Sequence, residues 1–254
     1  MRQKIYKKTL ALLCFLFVFA ALGVREDRIE NGQVKNEEKI WAGAGFVKPK
    51  IAFIDVNKFY EKTQQVFTHS FDLTLVVFRG TGWSKAVVLR RLKKVADIYA
   101  QCGVRLSQVK LVEARAPGGV IDFFSPGLGD TGIAQKVPST FRPVLFYFRS
   151  IPKLNAYSWP EDTEDENVAD ALKDTAWISL SAAMDLNTKI RDPKYVSEAH
   201  ELGHILLDSL AHAEVGEANL MAESYEYEND HLTADQCRKI KEHRLVHVIP
   251  INKE

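Results

Sequence analysis

A chain of 254 residues with 46% hydrophobic and 26% charged side chains has ordinary globular composition and enough apolar material for one substantial core. Its 34 Lys and Arg against 33 Asp and Glu leave a net charge of +1, which removes the electrostatic case for a nucleic-acid partner. Any partner must therefore be read from a local site.

The first 23 residues read as a signal peptide or membrane anchor. Arg2, Lys4, Lys7 and Lys8 precede an uncharged apolar run from Leu10 to Val24. At about 15 apolar residues the run is short for a membrane span, and Ala21-Leu22-Gly23 offers small residues where a signal peptidase cuts. Either reading places the folded domain outside the cytoplasm, secreted or periplasmic, with a membrane attachment only if the segment stays uncleaved. Residues 24–49 read as a polar lead-in, and residues 50–254 as one domain.

Within that domain Ile51 to Val56 and Leu73 to Phe78 are predicted strands, the second ended by Arg79-Gly80. A helix is expected from Trp83 to Cys102, since Val88, Leu92, Val95, Tyr99 and Cys102 recur at threes and fours. Lys85, Arg90, Arg91, Lys93 and Lys94 are assigned to its other faces, and Gly103 to its stop. Val104 to Ala114 returns to strand spacing, so the strand-helix-strand unit predicts a parallel pair in a mixed sheet. The Gly-rich stretch from Ala116 to Ser139 reads as a long loop. Val144 to Phe148 and Ala176 to Leu180 are further short strands, and Asn155 to Trp159 is a weaker one. The acidic run from Glu161 to Glu166 reads as a solvated loop.

Asp192-Pro193 offers a capping side chain and a proline suited to a first helical turn. In the helix expected to follow, Val196, Ala199, Leu202, Leu206 and Leu210 form the apolar stripe. His200 and His204 project together from a different side, one turn apart, close enough to hold one zinc ion. Glu201 lies about 100° round the helix from His200, which suits a general base better than a ligand. The His-Glu-x-x-His spacing occurs by chance in roughly one chain of this length in a hundred, so its surroundings must add weight. His212 beyond the helix and Asn219-Leu220-Met221 downstream do so. A C-terminal helix is expected after Leu232-Thr233. Cys102 and Cys237 are the two cysteines outside the N-terminal segment. An exported domain favours a bridge between them, with two buried free thiols as the alternative.

From about Leu73 onward the chain resembles the metzincin clan of zinc peptidases, whose pattern is His-Glu-x-x-His-x-x-Gly-x-x-His followed by a methionine turn. The resemblance implies that His200 and His204 bind zinc, that Glu201 is the base and that Met221 forms an apolar floor. It also implies an α+β, zincin-like single catalytic domain with a mixed, mainly parallel sheet, a long helix, and an edge strand that pairs with substrate. Leu207 and Leu210 stand where the clan has its glycine and third histidine, and Glu223 stands in place of its tyrosine. Asp208-Ser209 is therefore expected to make the turn, Asp tolerating left-handed backbone, and His212 to be the third ligand. The rival third ligands are Glu217 and Glu223, as in thermolysin-like sites. The function expected is an exported zinc-dependent peptidase with one catalytic ion and a protein or peptide substrate. A non-catalytic zinc- or partner-binding module is the alternative.

Overall fold

The computed structural model describes residues 31–115, 129–137, 142–149, 156–161, 170–180, 196–214, 218–222 and 229–250. The N-terminal 23 residues expected to direct export, Asp192-Pro193, residues 162–166 of the acidic run, Glu217 and Glu223 lie outside the described residues. Among those described, no helix is long and apolar enough to cross a membrane.

The architecture is mixed α/β around one seven-stranded sheet. In chain order the elements are α1 (Asn31–Gly43), β1 (Val47–Ile54), β2 (His69–Phe78), α2 (Lys85–Ala100), β3 (Val104–Arg115) and α3 (Gly129–Ala134). They continue with β4 (Val144–Phe148), β5 (Ala156–Trp159), β6 (Thr175–Ser179), α4 (Ser197–Leu206), α5 (Ala234–Glu242) and β7 (His247–Val248). The strand order is β1-β3-β2-β4-β6-β5. The four inner strands are parallel to one another, β1 and β5 close the two ends antiparallel, and β7 adds a short antiparallel pair to the start of β2.

Strand β2 explains why the inner sheet reads as an unbroken apolar run. Phe71, Leu73, Leu75 and Val77 enter one core, Val76 and Phe78 the other, so both faces are covered. Helix α2 starts with Ser84, whose hydroxyl accepts the Val87 N–H, and ends before Gly103 at φ 69°, a backbone angle that glycine adopts freely. Helices α2 and α4 pack on the first face.

Four expectations need correcting. Arg91 does not face solvent: it is 2% exposed and points into the core of the first face. The lead-in is structured in part, for α1 and the start of β1 bury Trp41 and Phe46 against Phe78 on the second face. The expected loop from Ala116 contains α3, which adds Ile133 and Ala134 to the same core. Helix α4 begins at Ser197 with Val196 as its N-cap and no capping side chain, and it ends at Leu206. Leu210 therefore lies beyond it, exposed rather than in the stripe.

Candidate metal centre

Helix α4 is only 10 residues long and every residue of it is buried. A helix this short has little stability of its own, so its neighbours must hold it. The Arg91 guanidinium on α2 grips the Glu198 carboxylate with contacts of 2.6 to 2.9 Å. The Tyr99 hydroxyl donates to the Ala199 carbonyl at 2.9 Å. A charge pair in the interior must satisfy both partners to be tolerated, and the two-pronged geometry does so. Glu198 also sits in the first helical turn, where negative charge is favoured.

The far end of α4 is shaped by Asp208, whose φ of 46° is left-handed. Asp208 N–H donates to Ile205 O at 3.2 Å and Ser209 N–H to His204 O at 3.1 Å, the paired closure of a Schellman turn. The expected role of Asp208-Ser209 as turn former thus holds. The reversal aims the Ser209 carbonyl back at the helix, where it accepts His204 Nδ1–H at 2.7 Å. His200 Nδ1–H likewise donates to the Leu220 carbonyl at 2.7 Å. Each bond fixes the tautomer with Nε2 unprotonated, the form in which imidazole binds a metal.

Those two Nε2 atoms lie 3.1 Å apart. Two nitrogens at tetrahedral angles, each 2.0 to 2.1 Å from one zinc ion, would be about 3.3 Å apart. His212 completes the group from the exposed segment beyond the turn, its ring centroid 5.3 Å from that of His200 and 4.9 Å from that of His204. The candidate ligand atoms of the three side chains all lie within 4.8 Å of one another, so one metal ion fits among them. Ala213, the next residue, is fastened to the methionine turn by its N–H to Met221 O at 2.8 Å.

No protein-family model matches the chain, and no curated protein matches it. Among solved structures it is similar to metalloproteinase-II from Bacteroides fragilis at 16% identity and TM-score 0.47, over 74% of this chain and 61% of that one. It is also similar to archaemetzincin from Methanopyrus kandleri at 18% identity and TM-score 0.45, over 68% of this chain and 94% of that one. The chain thus spans less than two thirds of the length of the Bacteroides protein.

Around the histidines the electrostatics are those of a dry site. Burial is the main cause that brings the His200 and His204 imidazoles down to about 4 from the usual 6.5, with repulsion from His212 adding to it for both and from His204 for His200. Glu201 is pushed the other way, up to about 7, by burial, against the Ser158 hydroxyl that donates to its Oε2 at 2.7 Å. A carboxyl poised near neutrality can hold or release a proton under ordinary conditions. Ser158 lies on β5, the end strand of the sheet, which packs beside α4.

Met221 is buried, and a Cβ added to Gly203 would come within 2.3 Å of its sulfur. The thioether therefore lies directly on the helix backbone beside His204, and any side chain at position 203 would force it to shift. Sequence reasoning passed over Gly203, Ser158, the Arg91–Glu198 pair and the partners of Asn219. Arg91 had a signal: it falls three residues after Val88 and four before Val95, inside the apolar stripe.

Proposed function

We propose that the protein is an exported zinc-dependent peptidase in which His200, His204 and His212 hold the ion and Glu201 is the general base. The observation that carries the reading is the convergence of three imidazoles, two of them pinned through Nδ1, next to a buried carboxyl. When bound, zinc acidifies a water toward a pKa of about 7 and polarises a carbonyl oxygen.

The chain's own groups do the rest. Glu201 takes a proton from the attacking water and can return it to the leaving amine, and its pKa near 7 suits both transfers. Ser158 holds the carboxylate by one oxygen, leaving the other to meet the proton. Strand β5 is antiparallel to β6 and ends the strand order beside the site, a position that suits an extended peptide chain as substrate. Export is supported by the N-terminal sequence pattern and by the Cys102–Cys237 disulfide, a bond that persists outside the cytoplasm.

The test uses the purified full chain loaded with zinc and an unfolded protein substrate. Glu201→Gln should keep its zinc and lose about 10² to 10⁴ in turnover. His212→Ala should lose most of its zinc affinity. A Glu201→Gln protein as active as the wild type would sink the assignment of the base, and His212→Ala with unchanged zinc affinity would sink the ligand set.

A further inference from the structure

The carbonyl that holds His200 belongs to a peptide unit whose orientation is set from its other side. The amide joining Leu220 to Met221 is planar, so fixing its N–H fixes the direction of its C=O. The N–H donates to Asn219 Oδ1 at 2.9 Å, and the C=O accepts His200 Nδ1–H at 2.7 Å.

Asn219 is itself held by α5, the helix furthest along the chain. Its Nδ2 donates to Gln236 Oε1 at 2.9 Å, and Gln236 Nε2 donates back to Asn219 Oδ1 at 3.1 Å. Both amide orientations are dictated by backbone donors, because Met221 N–H needs an oxygen on Asn219 and Thr233 N–H needs one on Gln236, 2.9 Å away. Asn219 is 2% exposed, where an unpaired amide would be costly. Gln236 meanwhile closes the capping box that starts α5, its backbone N–H donating to Thr233 Oγ1.

We infer that Asn219 and Gln236 are positioning residues for the ligand His200, a relay that couples the docking of α5 to the metal affinity of a site one helix away. The inference rests on the zinc reading above and adds to it residues that touch neither metal nor substrate.

The relay separates two jobs of Gln236. Glutamate serves the capping box as well as glutamine does and adds a favourable negative charge to the first turn of α5. Yet Gln236→Glu replaces the Nε2 donor by an oxygen facing Asn219 Oδ1, so two acceptors meet. We therefore expect the cap to offset part of that clash, so that the unfolding midpoint of the metal-free protein falls less in Gln236→Glu than in Asn219→Ala, while zinc affinity falls about tenfold. Asn219→Ala should cost about 10- to 100-fold, the usual range for partners that orient a ligand.

The measurements are zinc affinity by competition with a chelator, the visible absorption bands of the Co²⁺-substituted full chain, and thermal unfolding of the metal-free chain. Weaker zinc binding with shifted Co²⁺ bands in Gln236→Glu supports the relay, even if Asn219→Ala does not fold. Gln236→Glu with wild-type zinc affinity and wild-type bands overturns it. A wild-type chain that binds no zinc would instead overturn the metal reading itself, so the two failures are distinct.

Discussion

On one face of the sheet Phe46, Phe78, Phe146 and Trp177 stack ring upon ring, with successive centroids 6.3, 6.3 and 4.1 Å apart. The other face packs Val, Leu and Ile under α2 and α4 and admits Arg91, Glu198, His200, Glu201 and His204, all buried. Aromatic rings bury much area and need few partners, and the buried Lys110 on the aromatic second face lies over the Phe53 ring. Each ionisable group on the first face, under α2 and α4, must be matched by a partner or change its protonation. The contrast suggests that stability and chemistry have been given separate sides of one sheet.

The largest effect expected from this division is on pH dependence. Glu201→Gln removes the carboxyl and isolates the two buried imidazoles. Their folded pKa values of about 4 lie below the unfolded value of 6.5, so the unfolded chain takes up protons that the folded chain refuses. Stability of the metal-free variant should be full above pH 6.5 and lost as pH falls toward 4, on the order of 3 kcal/mol for each histidine. Glu201 has the opposite sign. Its folded pKa of about 7 is above the ordinary carboxyl value of 4.5, so the wild type should lose stability relative to Glu201→Gln as pH rises from 4.5 to 7. Urea unfolding across pH 4 to 8 reads both windows, and a flat profile would mean that the site face is wetter than the structure describes.

Trp177→Ala should cost about 3 to 5 kcal/mol of stability and leave the zinc affinity of the folded protein within twofold. A parallel loss of zinc would break the division between the faces. Arg91→Met should cost about 3 kcal/mol by stranding Glu198 in the core, and the double variant Arg91→Met with Glu198→Leu should recover most of it. A double variant no more stable than the single one would show that the pair itself, not the stranded charge, matters. Arg238 pairs with Asp235 and Glu242 on the exposed side of α5. Arg238→Ala should leave both the unfolding midpoint and the zinc affinity at wild-type values.

Much of this was legible in the sequence because local rules governed it. The strands β2 and β3 and helix α2 follow the periods of two and 3.6, and the His200/His204 pair follows from helical spacing. Asp208 could be read as the turn residue because its left-handed tolerance is intrinsic to its side chain. The same locality shows why other parts were not legible. Ser158 meets Glu201 across 43 residues, and Arg91 meets Glu198 across 107, pairings that only the tertiary fold creates. The helix at 31–43 lacks a clear apolar stripe, so its burial of Trp41 gave no periodic signal. Gly203 was unreadable because its reason is a methionine from another segment.

The Cys102–Cys237 bond spans 135 residues and encloses α4, the turn at Asp208 and the methionine turn in one covalent ring. A single backbone cut anywhere inside that ring opens it without releasing a fragment. A molecule nicked there would still carry all three histidines on tethered pieces. It would run as one band on a denaturing gel until a reductant separated the halves.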